Sequence, residues 1–221
     1  DVWEYVNRYS DFTNYQHKVL WFVDGNLIPI PFNLNSIYKS FSLETAKKLE
    51  NTLLTYYEYN TKVSITELRE KAKQENNKEL NFLADYIFEK IFKNYTIKQR
   101  WITADEINQD VLKRVPVVIS RDDRYFPHNK YQWMPEKWYT KMFEKMLESR
   151  NIRVLLNTDY KDIKWQIQYE NLYFTWSIDE YFDYKYSKLE YRKTLYTLEE
   201  CDRNSFQENA VINYPNDYEY T

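Results

Sequence analysis

Three stretches carry residue types that could do chemistry. The first runs Arg114-Val-Pro-Val-Val-Ile-Ser-Arg-Asp-Asp-Arg-Tyr-Phe126 and continues to Tyr131-Gln-Trp-Met-Pro-Glu-Lys-Trp-Tyr139. A short apolar strand there turns through dense charge into an aromatic pair. Three arginines and Tyr125 beside β-branched residues could hold an anion against a packed wall; a strand end with a solvated charged turn is the alternative. The second is Asn94-Tyr-Thr-Ile-Lys-Gln99. A tyrosine face next to Thr96 and Gln99 suits stacking and edge recognition of a planar ring, while a helix end with Tyr95 on the core reads equally well. The third, Ile178 to Arg192, alternates aromatic and charged residues. Arg192 could clamp a phosphate with two parallel N–H bonds, or simply pair with Glu190 or Asp183.

Other chemistries are poorly served. His17 and His128 are the only histidines, with no H-E-x-x-H pattern and no cysteine cluster, so a metal site is not expected. Cys201 stands beside Glu199, Glu200 and Asp202, which disfavour a thiolate, and no histidine is near it in sequence. Gly25 is the only glycine, against a usual share of about 7%. Neither a G-x-G-x-x-G turn nor a P-loop can be built from one glycine, so a nucleotide pyrophosphate is not held here by a Gly-rich cradle.

The elements that must position these stretches read as α+β, a mainly antiparallel sheet with an inserted helical bundle. Asp24-Gly25-Asn26 between Val19–Val23 and Leu27–Pro31 predicts a hairpin, and Pro29 and Pro31 put its second strand at an edge or end it early. Residues 1–18 read as starting in mid-helix, a piece of something longer. Ser42 and the box Ser64-Ile-Thr-Glu67 start helices, as does Thr103-Ala-Asp-Glu106. Leu80, Leu83, Ala84, Ile87, Phe88, Ile91 and Phe92 repeat with helical spacing. Val111-Leu112 closes the bundle, and Tyr139, Met142, Phe143, Met146 and Leu147 mark a further helix. From 152 short strands are expected at 152–156, 172–175, 193–198 and 210–214. The expected partition is a sheet domain over 1–35 and 114–221 around a helical bundle over 36–113.

The 221 residues carry a formal charge of −3, which argues against a general nucleic-acid or membrane-surface binder. No apolar run is long enough to cross a bilayer and no signal-peptide pattern opens the chain, so a cytoplasmic location is expected.

Taken together these stretches resemble the UDP-galactopyranose mutase family of flavoenzymes. The matching text is VWEYVNRYSDFTNYQHKVL, VDGNLIPIPFNL, NYTIKQ, RVP with DDRYF, the Gln-x-Met-Pro and Tyr-Thr at 132–140, LLNTDYKDI, IDEYFDYKYSKLEYR, and QENAVINYP ending in Tyr220-Thr221. The resemblance implies an isomerase that interconverts UDP-galactopyranose and UDP-galactofuranose. Reduced FAD is its nucleophile, and it often works as a homodimer. It implies that Tyr95, Thr96 and Gln99 lie in the uridine pocket, with Tyr95 as the stacking face. Tyr125 and Tyr220 would stand near the substrate diphosphate, and Arg192 would hold phosphate. No residue is assigned a catalytic or flavin-contacting role. The family's Gly-rich FAD turn has no counterpart, so the FAD Rossmann portion is incomplete. The chain looks like a substrate-binding portion, inactive alone and not binding FAD alone. A non-catalytic UDP-sugar-binding module or a structural remnant is the alternative.

This sequence also departs from the family. Arg100-Trp101 replaces the family's Trp-Gly, and Val118 replaces an arginine that serves substrate and flavin. Trp101, Trp138, Trp176, Ser187 and Glu208 occupy glycine positions, and Trp133 a glycine or alanine position. A glycine that lets backbone approach a ligand cannot become tryptophan without filling the space. Either the cleft is plugged by indole, or TGA codons that specify glycine have been read as tryptophan. TGG codons at 101, 133, 138 and 176 would rule out the second explanation, which in any case does not reach Val118, Ser187 or Glu208.

Overall fold

The computed structural model describes residues 1–100, 115–191 and 193–221, and at positions 99 and 100 the backbone only. The chain divides into two compact units, residues 1–139 with 207–221, and residues 140–206.

The first unit is built on the hairpin. Strands β2 (Val19–Val23) and β3 (Asn26–Ile30) pair antiparallel, Val19 opposite Ile30 and Val23 opposite Asn26. The two loop residues, Asp24 and Gly25, have φ of 49° and 82°. A type I′ turn needs positive φ at both, which Asp tolerates and Gly adopts without strain. Strand β7 (Val211–Asn213) joins the other side of β2 in parallel, so β3 is an edge strand and can carry Pro29. Two short antiparallel pairs complete the strands of this unit: β1 (Phe12–Thr13) with β6 (Met134–Pro135), and β4 (Lys62–Val63) with β5 (Val117–Val118).

The helices start where their caps predict. Ser42 accepts from the Thr45 amide ahead of α3 (Leu43–Tyr56), and Ser64 from the Glu67 amide ahead of α4 (Ile65–Gln74). Asn33 and Asn77 do the same for α2 (Leu34–Ser40) and α5 (Lys78–Ile87). The apolar repeat that opens in α5 then runs through a π-helical turn, Phe88–Lys93, into α6 (Asn94–Arg100). The second predicted capping box, at Thr103–Glu106, and Val111-Leu112 lie outside the described residues.

One core joins sheet and helices. Trp21, Ile28 and Ile30 from the hairpin meet Leu49, Leu53, Leu68, Leu83, Ile87 and Ile91 from the helices. Leu43, the first residue of α3, is 62% exposed.

Within residues 1–18 helix is limited to α1 (Val2–Val6), and the chain has reached β1 by Phe12. One expectation fails. In the second unit, residues 152–156, 172–175 and 193–198 are not strands. A strand exists only when its N–H and C=O groups find a partner, and none is paired there among the described residues. The apolar members Leu156, Tyr173, Leu195 and Leu198 stay exposed. Regular structure in that unit is limited to most of α7 (Trp138–Met146), α8 (Tyr160–Ile163) and α9 (Ile178–Tyr181). No helix among the described residues is long and apolar enough to cross a membrane.

Two family glycine positions keep a glycine-like backbone: Trp138 has φ of 65° and Ser187 of 108°. An L-residue in the left-handed region costs about 1–2 kcal/mol. Trp138 is also 74% exposed, so its indole recovers little of that by burial. Trp138→Gly is therefore expected to be more stable than Trp138→Ala by about 1 kcal/mol in urea denaturation, since Ala keeps the strain. Equal midpoints would show that no strain is held there. Leu83, fully buried between the helices, gives the reference scale: Leu83→Ala should cost roughly 2–5 kcal/mol in the same measurement.

Candidate functional site

Helix α6 brings the second chemistry-bearing stretch onto the sheet. Tyr95 is half-buried with its ring tilted against the Trp21 indole, centroids 4.5 Å apart. Thr96 is buried beside it in sequence. The stretch is a helix packed on the core, with its tyrosine against an aromatic partner. Gln99 lies in the last turn of α6. The indole Nε1 of Trp21 is buried with no hydrogen-bond partner among the described residues.

The C-terminal segment meets the same helix. Lys98 donates from Nζ to the carbonyls of Tyr214 and Tyr220, each at 2.7 Å. Asn94 Nδ2, one turn earlier, donates to Asn216 Oδ1 at 3.1 Å. Burial pushes the Lys98 ammonium below the ordinary lysine value, and the charge of Asp217 opposes that shift. The Tyr220 ring is exposed and packs edge-on against Tyr214 at 5.0 Å. Phe22, next to Trp21 on β2, contacts Tyr214 and Tyr218 at 5.6 and 6.1 Å. Helix α6 therefore touches both β2, through Tyr95, and the tyrosine segment, through Lys98.

The charged turn of the first stretch is organised differently from an anion wall. Arg121 Nη2 donates to both carboxylate oxygens of Glu50, at 2.7 and 2.8 Å, and its guanidinium lies 4.9 Å from the Tyr38 ring centroid. Tyr38 donates its hydroxyl to Glu50 at 2.6 Å. Arg124 donates from Nε to both oxygens of Asp122 at 2.9 Å, and its Nη atoms reach Gln16 Oε1 and the Pro127 carbonyl. Both cations are spent on the chain's own carboxylates. Arg114 lies outside the described residues.

Tyr125 is anchored at the end of this turn. Its amide donates to the His17 carbonyl at 2.7 Å, and its ring meets the imidazole edge at 5.7 Å. Burial pushes its phenol above the ordinary tyrosine value. Val118 is buried, and its amide donates to the Phe32 carbonyl at 2.8 Å. Its side chain is now part of the packed interior.

In the second unit, Asp179 accepts from the Leu189 amide at 3.0 Å and from the Tyr191 hydroxyl at 2.7 Å. Those two bonds, Tyr191 first, hold its carboxyl below the ordinary aspartate value. They fix the segment that leads to Arg192, which itself lies outside the described residues. A cavity of about 240 Å³ in this unit is lined by Tyr160, Lys161, Phe174, Trp176, Glu180 and Tyr181 among others. None of the described candidate residues lines it. Trp176 is on its wall with Nε1 bonded to Glu180 at 3.1 Å, and the indole stays 73% exposed. Trp133 packs with Trp3 and Tyr131, at 5.2 and 5.9 Å. The indoles at 138 and 176 are thus largely in solvent, and that at 133 is in an aromatic cluster.

The described residues contain no Gly-rich dinucleotide turn. Gly25, the one glycine, is spent in the hairpin turn, and the parallel pairing present, β2 with β7 and a bridge from Asn33 to Val118, forms no βαβ phosphate turn.

The sequence model of the family described as UDP-galactopyranose mutase matches residues 90–221. The chain is 31% identical over 213 residues to a probable UDP-galactopyranose mutase of Klebsiella pneumoniae, covering 96% of this chain and 53% of that protein. It is 27% identical over 219 residues to a dTDP-fucopyranose mutase of Escherichia coli, covering 97% and 56%. It is 27% identical over 226 residues to a UDP-galactopyranose mutase of Mycoplasma genitalium, covering 97% and 54%. The chain belongs to the UDP-galactopyranose mutase family, and it spans about half the length of these relatives.

Sequence reasoning missed Lys98 and the pairing of Arg121 with Glu50. Lys98 stands four residues after Asn94, so both lie on one helix face, and that spacing was a usable signal. The Arg121–Glu50 pair joins positions 71 apart and leaves no local trace.

The Asp122–Arg124 pair gives a pH test. The Arg124 hydrogen bond holds the Asp122 carboxyl below its ordinary value. Its contribution to stability is complete above the ordinary aspartate value, about 3.9, and is lost as pH falls through the lower folded-state value. Asp122→Asn should therefore lose less stability than the parent on acidification across that window, as followed by urea midpoints. Parallel loss in both would show that the pair contributes nothing.

Proposed function

We propose that this chain is the nucleotide-sugar-binding portion of a mutase that interconverts UDP-galactopyranose and UDP-galactofuranose. The observation that carries the reading is the extent of the family match: residues 90–221 contain all six candidate residues, Tyr95, Thr96, Gln99, Tyr125, Arg192 and Tyr220. Tyr95, braced by Trp21, is the ring that stacks on uracil. Thr96 and Gln99 read its edge from the same helix. Tyr125 and Tyr220 contact the diphosphate, and Arg192 is a bidentate phosphate donor. These roles are binding and orientation. No reaction step is assigned to the chain.

The lack of a Gly-rich dinucleotide turn among the described residues favours a second reading, a UDP-sugar-binding module without mutase chemistry. Both readings predict binding; they part on whether any longer form of the chain turns substrate over.

Calorimetry tests the shared claim. UDP should bind saturably, and more tightly than dTDP, the nucleotide named for the Escherichia coli relative. Tyr95→Ala should weaken it by about 1–3 kcal/mol, the range for one stacked base, and Arg192→Ala should weaken it too. No saturable UDP binding by the parent would overturn both readings. With FAD, dithionite and UDP-galactofuranose, the purified chain should show no turnover; robust turnover would overturn its being a binding portion only.

A further inference from the structure

We infer that Lys98 is a positioning residue: it ties the C-terminal tyrosine segment to the helix that carries Tyr95 and Thr96, and so fixes where Tyr220 stands for a bound nucleotide sugar. The inference rests on the UDP-sugar reading above. Its geometry does not. An ammonium has three donors, and Lys98 gives two of them to carbonyls six residues apart in sequence, Tyr214 and Tyr220. That single side chain closes the whole 214–220 loop onto α6.

Little else does so. The ladder between β7 and β2 ends at Asn213 opposite Trp21. Beyond it, the backbone bond within the segment is a local turn, the Tyr218 amide to the Asn216 carbonyl at 2.7 Å. Asn94 holds Asn216 through one neutral bond. The three tyrosine rings pack on one another and on Phe22, which gives the loop an apolar footing without fixing its register. No carboxylate forms an ion pair with Lys98 among the described residues. Its charge is committed to backbone carbonyls, an arrangement suited to holding a loop in place. The Lys98 ammonium also lies 5.9 Å from the Tyr218 ring centroid, so the cation faces the ring cluster it organises.

The consequence for binding follows from populations. If the loop holds Tyr220 in its binding position only while clamped, losing the clamp lowers the competent fraction and weakens apparent affinity by that factor. A competent fraction of roughly one tenth gives about a tenfold weaker Kd.

The experiment combines UDP calorimetry with amide hydrogen exchange over residues 211–221, on the parent chain, Lys98→Met, Lys98→Arg and Tyr220→Phe. Lys98→Met should accelerate exchange in that segment and weaken UDP about tenfold. Lys98→Arg, which can still donate to both carbonyls, should restore most of each. Tyr220→Phe should weaken UDP with exchange unchanged. Faster exchange in Lys98→Met with parental UDP affinity would overturn the positioning role. Unchanged exchange in Lys98→Met would overturn the clamp itself. A parent chain that does not bind UDP would overturn the UDP-sugar reading and the positioning role with it, and the exchange data would still decide the clamp.

Discussion

Strand β2 is the constraint on which the first unit depends. It is hydrogen-bonded on both sides, to β3 by the hairpin and to β7 in parallel. Its alternation sends Val19, Trp21 and Val23 into the core and leaves Leu20 and Phe22 on the other face. Each face then recruits one part of the candidate site. Trp21 braces Tyr95 of α6, and Phe22 seats Tyr214 and Tyr218. A one-residue slip of β2 would exchange these faces, so the Asp24-Gly25 turn that sets the register also sets the site. The chain commits its only glycine to that turn.

The cations of the chemistry-bearing stretches are committed in two different ways. Arg121 and Arg124 are each bound by a carboxylate with bidentate geometry, and both pairs fix the turn that ends in Tyr125. The turn that looks most like an anion site in sequence is thus a structural knot. Lys98 is committed differently. It is partly buried and donates to two backbone carbonyls, with no carboxylate at hydrogen-bond distance among the described residues.

What the sequence made legible was local. The hairpin follows from Asp24-Gly25 and from Pro29 at an edge, and α3 and α4 follow from Ser42 and Ser64, because turn and cap chemistry act within four residues. The α+β class follows from those elements. Tyr95 and Thr96 read from sequence as lying between two helices or at a helix end, whereas they sit inside α6, and nothing local tells that the carbonyls of Tyr214 and Tyr220 accept from Lys98. The same limit explains the failures. An apolar run such as Ile152–Leu156 satisfies strand propensity yet forms no strand, because a strand is a property of two segments. Arg121 reads as a free cation until Glu50 arrives from α3.

The scarcity of glycine finally explains the pattern of backbone exceptions. A fold still needs left-handed residues at turns, and Asn and Asp tolerate that region better than other L-residues do. Here Asp24, Asn60, Asn76, Asn157 and Asp183 take it, with φ between 47° and 69°. They are the chain's substitutes for glycine. Trp138, Tyr184 and Ser187 are the non-glycine exceptions among the described residues, and two of the three stand where the family has glycine. Trp138 has no local hydrogen-bonding side chain to offset the cost, and its indole is in solvent. A backbone demand that survives at both 138 and 187 is a property of the fold. Positive φ at Ser187, as at Trp138, places a residue other than Gly, Asn or Asp in the left-handed region, which is met at a cost.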